Sequence, residues 1–368
     1  MNERSRLVIF VVIAVLFCFL AACSQDEPPL MRVGVHLQAC DYSFTAKDLL
    51  DEGSDEILKL GADSIGVYLG PEYKEYYNGI EEEALDLESL AKTAAYDRFL
   101  NKNFLVYSLT CYAFANGLDS QWQQGIESYD PEAAYREVRG LAEYLLRRFA
   151  GTGKTFIIKN WEGDWHLLGG YNQGDEPSDT AVEAMIEWLQ SRIKAIEDAR
   201  AAVGVVEGVS VFSAVEFNLV AKAEGGGRTL LTSVVPHLKA DLYSYSSWDS
   251  LYQPQKIIPR LDFIKRFAAD SESFGRRNVM LGELGAPDGG PAKVTMLRWA
   301  MEAARSWGVP YCFFWQLYDN ECDGKRYYPA GVSERRTLIC RGFWLIDKMG
   351  RRTPSWYMLR DFLHREEP

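Results

Sequence analysis

Histidine is scarce in this 368-residue chain, with four in all, and no two of its seven cysteines stand in a CxxC spacing. Closed zinc sites draw on those two residue types. A zinc centre is therefore not expected, and no other ligand cluster points to a metal or cofactor. Basic charge is short as well: 40 lysines and arginines face 52 aspartates and glutamates, a formal charge of −12. Nucleic acid and anionic lipid head groups attract positive surfaces, so neither is expected as a partner. A nucleotide loop is lacking too, although Gly151-Thr152-Gly153-Lys154-Thr155 imitates the end of one. The position that needs the first P-loop glycine holds Arg148, and a helical pattern precedes the run while a strand follows it, the reverse of a P-loop. The run is expected to be a helix-to-strand turn.

Against these shortages stands a generous aromatic complement, ten tryptophans and twenty tyrosines. Such flat apolar faces suit stacking on sugar rings in a secreted protein, although many must serve the core. The N-terminus reads as a processing signal. Arg4 and Arg6 precede an apolar run, Leu7 to Leu20, that ends in Leu20-Ala21-Ala22-Cys23. That tetrapeptide resembles the lipobox of bacterial lipoproteins. The resemblance implies a signal peptide over 1–22, lipidation of Cys23 and a polar tether over 23–30. The protein would then be held at a membrane of the cell envelope by its N-terminal lipid alone. Ser24 after the cysteine favours the outer membrane or cell surface by the sorting pattern of such proteins. A plain secretory signal and an uncleaved anchor helix are the other readings. Past this segment lie Cys40, Cys111, Cys312, Cys322 and Cys340, an odd number. Oxidising surroundings permit disulfides; Cys322 with Cys340 would close one loop, with Cys312 as the competing partner.

Further along, short β-branched or aromatic runs alternate with longer amphipathic stretches. Strands are expected at 31–38, 64–69, 103–110, 154–160, 208–217, 240–246, 278–284 and 310–317. Helices are expected near 45–60, 86–100, 131–149, 178–202, 228–238, 255–269, 291–306 and 354–364. Asp130-Pro131 and Ser178-Asp179 supply helix starts. Gly61, Gly204 and Gly308 fall where left-handed C-caps belong. Repeated βα units without a break in composition predict one α/β domain over 31–368, a closed (β/α)8 TIM barrel. A doubly wound open sheet is the alternative.

In such barrels the active site lies at the C-terminal ends of the strands. Strand four runs out in Lys159-Asn160-Trp161-Glu162-Gly163-Asp164-Trp165, strand seven in Gly282-Glu283-Leu284-Gly285 and strand eight in Phe314-Trp315-Gln316. Glutamates ending strands four and seven, with a tryptophan on strand eight, resemble the clan A glycoside hydrolases. The tail from Gly342-Phe343-Trp344 to Thr353-Pro354-Ser355-Trp356 is loosely similar to the segment that leads such barrels into their last helix, with Trp356 in place of a tyrosine. The resemblance follows the strand order from 31 to 364 and rests on short motifs. It implies a retaining enzyme with Glu283 as nucleophile, Glu162 as general acid/base and no cofactor. There is one departure: the clan usually places Asn directly before the acid/base, and here Trp161 stands between Asn160 and Glu162. Either strand four carries a bulge or Asn160 contacts the sugar from a shifted position, and Asp164 becomes a reserve acid.

The chemistry itself asks for a proton donor to the leaving oxygen and an anion facing the cationic transition state. Trp161 and Trp165 flank Glu162 and would raise its pKa by desolvation. Tyr243 or Tyr245 is expected to donate to Glu283, and Trp315 to form a floor under the ring. His36, near the end of strand one, would bind substrate or be a buried structural histidine. Glu216 and Asn218 on strand five read more as structural. The loop aromatics Trp122, Tyr171 and Trp248 would be sugar platforms or surface packing. The leading reading is a retaining hydrolase of a β-linked poly- or oligosaccharide outside the cytoplasm. The alternative is a catalytically inactive carbohydrate-binding envelope lipoprotein, and a third is a structural envelope protein with no ligand.

Overall fold

The computed structural model describes residues 30–116, 125, 129–287, 290–323 and 332–364. Trp122 and Cys23 lie outside these residues, as do the signal and nearly all of the tether. Among these residues eight strands are formed: β1 (Arg32–His36), β2 (Ser64–Leu69), β3 (Val106–Cys111), β4 (Lys154–Lys159), β5 (Val209–Phe217), β6 (Leu242–Ser246), β7 (Val279–Leu284) and β8 (Tyr311–Phe314). Each overlaps its expected run, and all pair in parallel and in sequence order until β8 returns to β1 and closes the barrel. The open-sheet alternative is excluded by that closure.

Alternation along the strands sorts the interior. Val106, Ile157, Ala214, Leu242, Met280 and Phe313, one from each of β3 to β8, form an apolar cluster of their own. Two residues on, the same faces carry Ser108, Lys159, Glu216, Ser244 and Gly282. The barrel is thus oily below and polar above, and the polar layer lies nearer the C-terminal ends. The opposite strand faces join the larger core beneath the helices.

The helix signals mostly act as expected. Asp130 and Ser178 accept from the backbone N–H groups of Ala133 and Ala181, and Gly61 and Gly308 end helices in the left-handed region. Gly204 also has positive φ, but its ψ of −168° takes it out of that region. The expected helix over 86–100 is two, Leu87–Lys92 and Ala94–Leu100. Thr93 turns extended between them, its hydroxyl on the Leu90 carbonyl at 2.8 Å. The stretch 228–238 shortens to Leu230–Ser233 and a 3-10 turn containing Pro236, which has no N–H to continue a helix. Gly151 and Gly153 occupy the expected turn into β4. Among the described residues no helix is long and apolar enough to cross a membrane.

Cys322 and Cys340 form the expected disulfide. Cys312 does not compete, because it is buried on β8 between Val33 and Leu281 of the adjoining strands.

Candidate active site

A cavity of about 950 Å³ opens at the C-terminal ends of the strands. Glu162 and Glu283 both line it, together with Trp161, Trp165 and Trp315. Three other expected residues, Asn160, His36 and Tyr245, do not.

Glu283 reaches the cavity through an irregularity. Strict alternation would send it to the same side as Val279 and Leu281, into the outer core. Between β6 and β7 the register shifts, so that Tyr245 faces Leu281 but Ser246 faces Glu283. The bulge re-aims Glu283 inward. Glu162 sits past the end of β4, as the cap residue of the short helix Gly163–Leu168, with φ +20°. That helix has no counterpart among the expected elements.

The two carboxyls meet at one hydroxyl. Ser246 Oγ lies 2.6 Å from Glu162 Oε1 and 3.2 Å from Glu283 Oε2. Each carboxyl also accepts from an indole: Trp165 Nε1 to Glu162 Oε2 at 2.6 Å, and Trp248 Nε1 to Glu283 Oε2 at 2.9 Å. Glu283 Oε1 is buried with no hydrogen-bond partner. A serine hydroxyl has one proton to give, so it cannot donate to both acids at once. One proton held across the pair lets the hydroxyl donate to one acid and accept from the other.

Electrostatics favour that shared state. Burial, foremost, and the charge of Glu216 push Glu162 up to about 7, against the donors Ser246 and Trp165 and the charge of Lys159. Burial and the charges of Glu162 and Glu216 hold Glu283 well above the usual carboxylate range. Burial raises Glu162, and Glu283, the expected anion, is raised as well, so the pair gives up its last proton less readily than two free carboxyls would.

The strand-six donor is corrected as well. Tyr243 and Tyr245 share the outer face, where their hydroxyls bond the Leu238 carbonyl at 3.0 Å and the Asp249 carboxylate. Ser244 and Ser246 point inward, and Trp248 takes the place intended for a tyrosine. The signal was available: Leu242 is the apolar inward residue of β6, and Ser246 shares its parity. Asn160 does not face the cavity from a shifted position. Its amide donates to the Glu216 carbonyl and accepts from the Glu216 N–H, both at 2.9 Å, and so staples β4 to β5. Asp164, the reserve acid, is buried and takes three backbone N–H groups, from Asn218, Leu219 and Leu230.

His36 lies beneath the floor. Its Nε2 bonds the Gly282 carbonyl at 2.7 Å, Gln38 Nε2 meets its Nδ1 at 3.0 Å, and its ring packs 5.2 Å from Trp315. The carbonyl requires a proton on Nε2, and burial lowers the pKa to about 3, so the ring is neutral. Trp315 in turn faces the cavity, with its following peptide cis. Tyr171 and Trp248 line the cavity too, Tyr171 against Trp165 and Trp248 edge-on to Phe343 at 5.3 Å. Phe343, Gln38 and His166 are among the lining residues that the sequence did not single out for this site.

No known family's sequence profile matches the chain, and no curated protein matches it. Solved structures do. A GH5_18 enzyme from Bifidobacterium longum subsp. longum, in complex with Manβ1-4GlcNAc, aligns over 91% of this chain and 78% of its own at 16% identity, with a TM-score of 0.57. The GH5-4 broad specificity endoglucanase from Bacteroides salanitronis aligns over 91% and 92% at 13% identity and a TM-score of 0.52. A GH2 β-galacturonidase from Eisenbergiella tayi, bound to galacturonate, aligns over 92% of this chain and 52% of its own, at 14% identity and a TM-score of 0.51. This chain therefore spans about half the length of that last enzyme. The likeness is one of fold. The structural neighbours are (β/α)8 barrels of glycoside hydrolases, as the strand-end motifs led us to expect.

Proposed function

We propose that this protein is a retaining glycoside hydrolase acting on a β-linked poly- or oligosaccharide outside the cytoplasm, with Glu283 as nucleophile and Glu162 as general acid/base. One observation carries the reading: a buried carboxyl pair joined through Ser246, opening on an aromatic cavity, with Glu283 Oε1 left without a partner. Most buried polar side-chain atoms are hydrogen-bonded, and here the bare oxygen belongs to one of a pair of acids at a cavity. Since one hydroxyl reaches both acids at 2.6 and 3.2 Å, their nearest oxygens lie no farther apart than those two lengths end to end. Two carboxyls bridged by a single hydroxyl are in keeping with the ~5–5.5 Å separation of retaining pairs. The sugars named for the structural neighbours are consistent with a carbohydrate ligand here.

In the first step a carboxylate oxygen of Glu283 bonds to the anomeric carbon as the glycosidic C–O bond breaks, and Glu162 gives its proton to the departing oxygen. In the second, ionised Glu162 takes a proton from water. The water oxygen bonds to the anomeric carbon, and the ester to Glu283 breaks. Trp248 and Ser246 hold the Glu283 carboxylate as it leaves. Trp315 supplies the apolar floor.

The envelope location, through lipidation of Cys23 after removal of 1–22, belongs to the same proposal and rests on the lipobox-like Leu20-Ala21-Ala22-Cys23. Radiolabelled palmitate incorporated by the wild type but not by Cys23→Ser would bear it out. The inactive sugar-binding alternative draws on the strand-four departure, since Asn160 is turned into the barrel wall. A panel of aryl β-glycosides separates the two readings: turnover lost in Glu283→Gln supports the hydrolase, and sugar binding without any turnover by the wild type supports the binder.

A further inference from the structure

Glu216 on β5 has no solvent exposure and does not line the cavity. Its Oε1 accepts from Lys159 Nζ at 2.7 Å and from the backbone N–H of Glu162 at 3.2 Å, while Oε2 accepts from Ser244 Oγ at 2.6 Å. With the Asn160 staple on its backbone, this one residue grips positions 159, 160 and 162, the whole segment that delivers the acid/base. Strand β7, across β6 from it, is shaped to admit it: a Cβ on Gly282 would collide with Glu216 Oε2 and Ser244 Oγ.

A fully buried ion pair is a poor source of stability, because desolvating two charges offsets much of their attraction. Its placement suggests a different use. Glu162 has a backbone φ of +20°, where side-chain-bearing residues rarely rest. The N–H of that same residue is the one Glu216 holds. We propose that Glu216 is a positioning residue, whose Lys159-paired carboxylate fixes the turn at Glu162 and aims the Glu162 side chain at Ser246 and Glu283. The proposal rests on the reading of Glu162 as the acid/base.

The same carboxylate acts on the acids through space. Its charge raises both Glu162 and Glu283, and Lys159 opposes it. The other titratable groups around it are His36 on β1, held neutral by burial, and Tyr112 just past β3, whose hydroxyl burial pushes up. Neutralising Glu216 alone leaves Lys159 facing the pair, and both acids should then ionise at lower pH.

The test is a carboxyl ¹³C NMR titration of the full chain, with the Glu162 signal assigned by its loss in Glu162→Gln. In Glu216→Gln the Glu162 midpoint should fall by about one unit or more, and the basic limb of the kcat–pH profile should move the same way. Ser244→Ala, a milder change, strips a donor from Oε2 and leaves the Glu216 charge less neutralised. It should move the midpoint upward. A merely structural role would lower the melting temperature of both variants without these opposite shifts. A midpoint unmoved in both, or moved in one direction by both, overturns the assignment. Should Glu216→Gln not fold, Ser244→Ala decides alone: an upward shift supports the proposal, and no shift or a downward one overturns it. The titration needs no substrate. Absence of hydrolysis by the wild type would therefore sink the glycosidase reading while leaving the hold of Glu216 on Glu162 measurable.

Discussion

Trp248 and Ser246 converge on one oxygen of Glu283 and leave the other bare. An amide in place of that carboxyl can keep an oxygen toward both donors but cannot attack a carbon. Glu283→Gln is expected to cut turnover at least ~10³-fold with sugar affinity little changed, measured by kcat on an aryl glycoside and by calorimetric titration with a sugar. Glu162→Gln removes the proton and not the nucleophile. Its loss should reach about 10²–10⁴-fold on alkyl glycosides and be much smaller on glycosides of acidic phenols, whose oxygens leave unprotonated. Equal losses on both substrate types would assign Glu162 another role. Ser246→Ala deletes the hydrogen bond that links the pair. A hydrogen bond to a charged group contributes about 1.5–3 kcal/mol, so a kcat loss of roughly tenfold or more is expected, at nearly constant KM.

Two elements set the site's shape. The first is the bulge in β7 around Gly282, which turns Glu283 inward opposite Ser246. Gly282→Ala would force a methyl group against Glu216 and Ser244. Overpacking of this kind costs about 1–3 kcal/mol, readable as a lower urea midpoint, with activity falling because the catalytic bulge must shift. The second is the disulfide Cys322–Cys340, which closes a loop of sequence separation 18. Its ends carry Glu321 and Arg341, which pair at the rim of the cavity, and Phe343, which braces Trp248. Asp319 anchors the return by accepting from the N–H groups of Gly342 and Phe343. Loop closure of this length contributes about 3 kcal/mol. Replacing both cysteines by serine should lower the unfolding free energy by up to that amount and raise KM more than it lowers kcat.

For the molecule as a whole, the buried acids and histidines make stability depend on pH in opposed ways. Glu162 has its pKa raised from 4.5 to about 7, so the folded state holds a proton that the unfolded chain releases earlier. That stabilising contribution is complete below 4.5 and is lost as pH rises toward about 7. His36 and His166 run the other way. Burial lowers them from 6.5 to about 3 and about 4, so their contribution is present above 6.5 and is lost as pH falls. Raw stability profiles therefore mix the two effects, and a difference isolates one. Glu162→Gln, which never ionises, should gain on the wild type across pH 4.5 to 7 in denaturant midpoints. A gap that stays constant with pH would mean that Glu162 ionises in the fold as readily as in water.

The strand and helix order was legible because hydrophobic periodicity is a local property, and eight βα repeats leave few ways to bury both faces of a sheet. The glutamates at the ends of strands four and seven were legible for a related reason: barrel topology gathers the C-terminal ends of the strands at one mouth. The Cys322–Cys340 pairing was open in the sequence, where Cys312 stands nearer to Cys322, and the burial of Cys312 on β8 decided it. What needed the tertiary structure was everything decided by which way a residue faces. A one-residue register change inverts a strand's two faces, so the bulge that turns Glu283 inward is invisible to alternation. Tyr245 was expected inward and lies outward by the same parity that brings Ser246 in. Asn160 looked like a sugar ligand until its reciprocal hydrogen bonds with Glu216 joined two strands 56 positions apart in sequence. Residue types along a chain determine what a strand can bury. Only the closed barrel decides which acids are brought within one hydroxyl of each other, because that depends on contacts between segments the sequence keeps far apart.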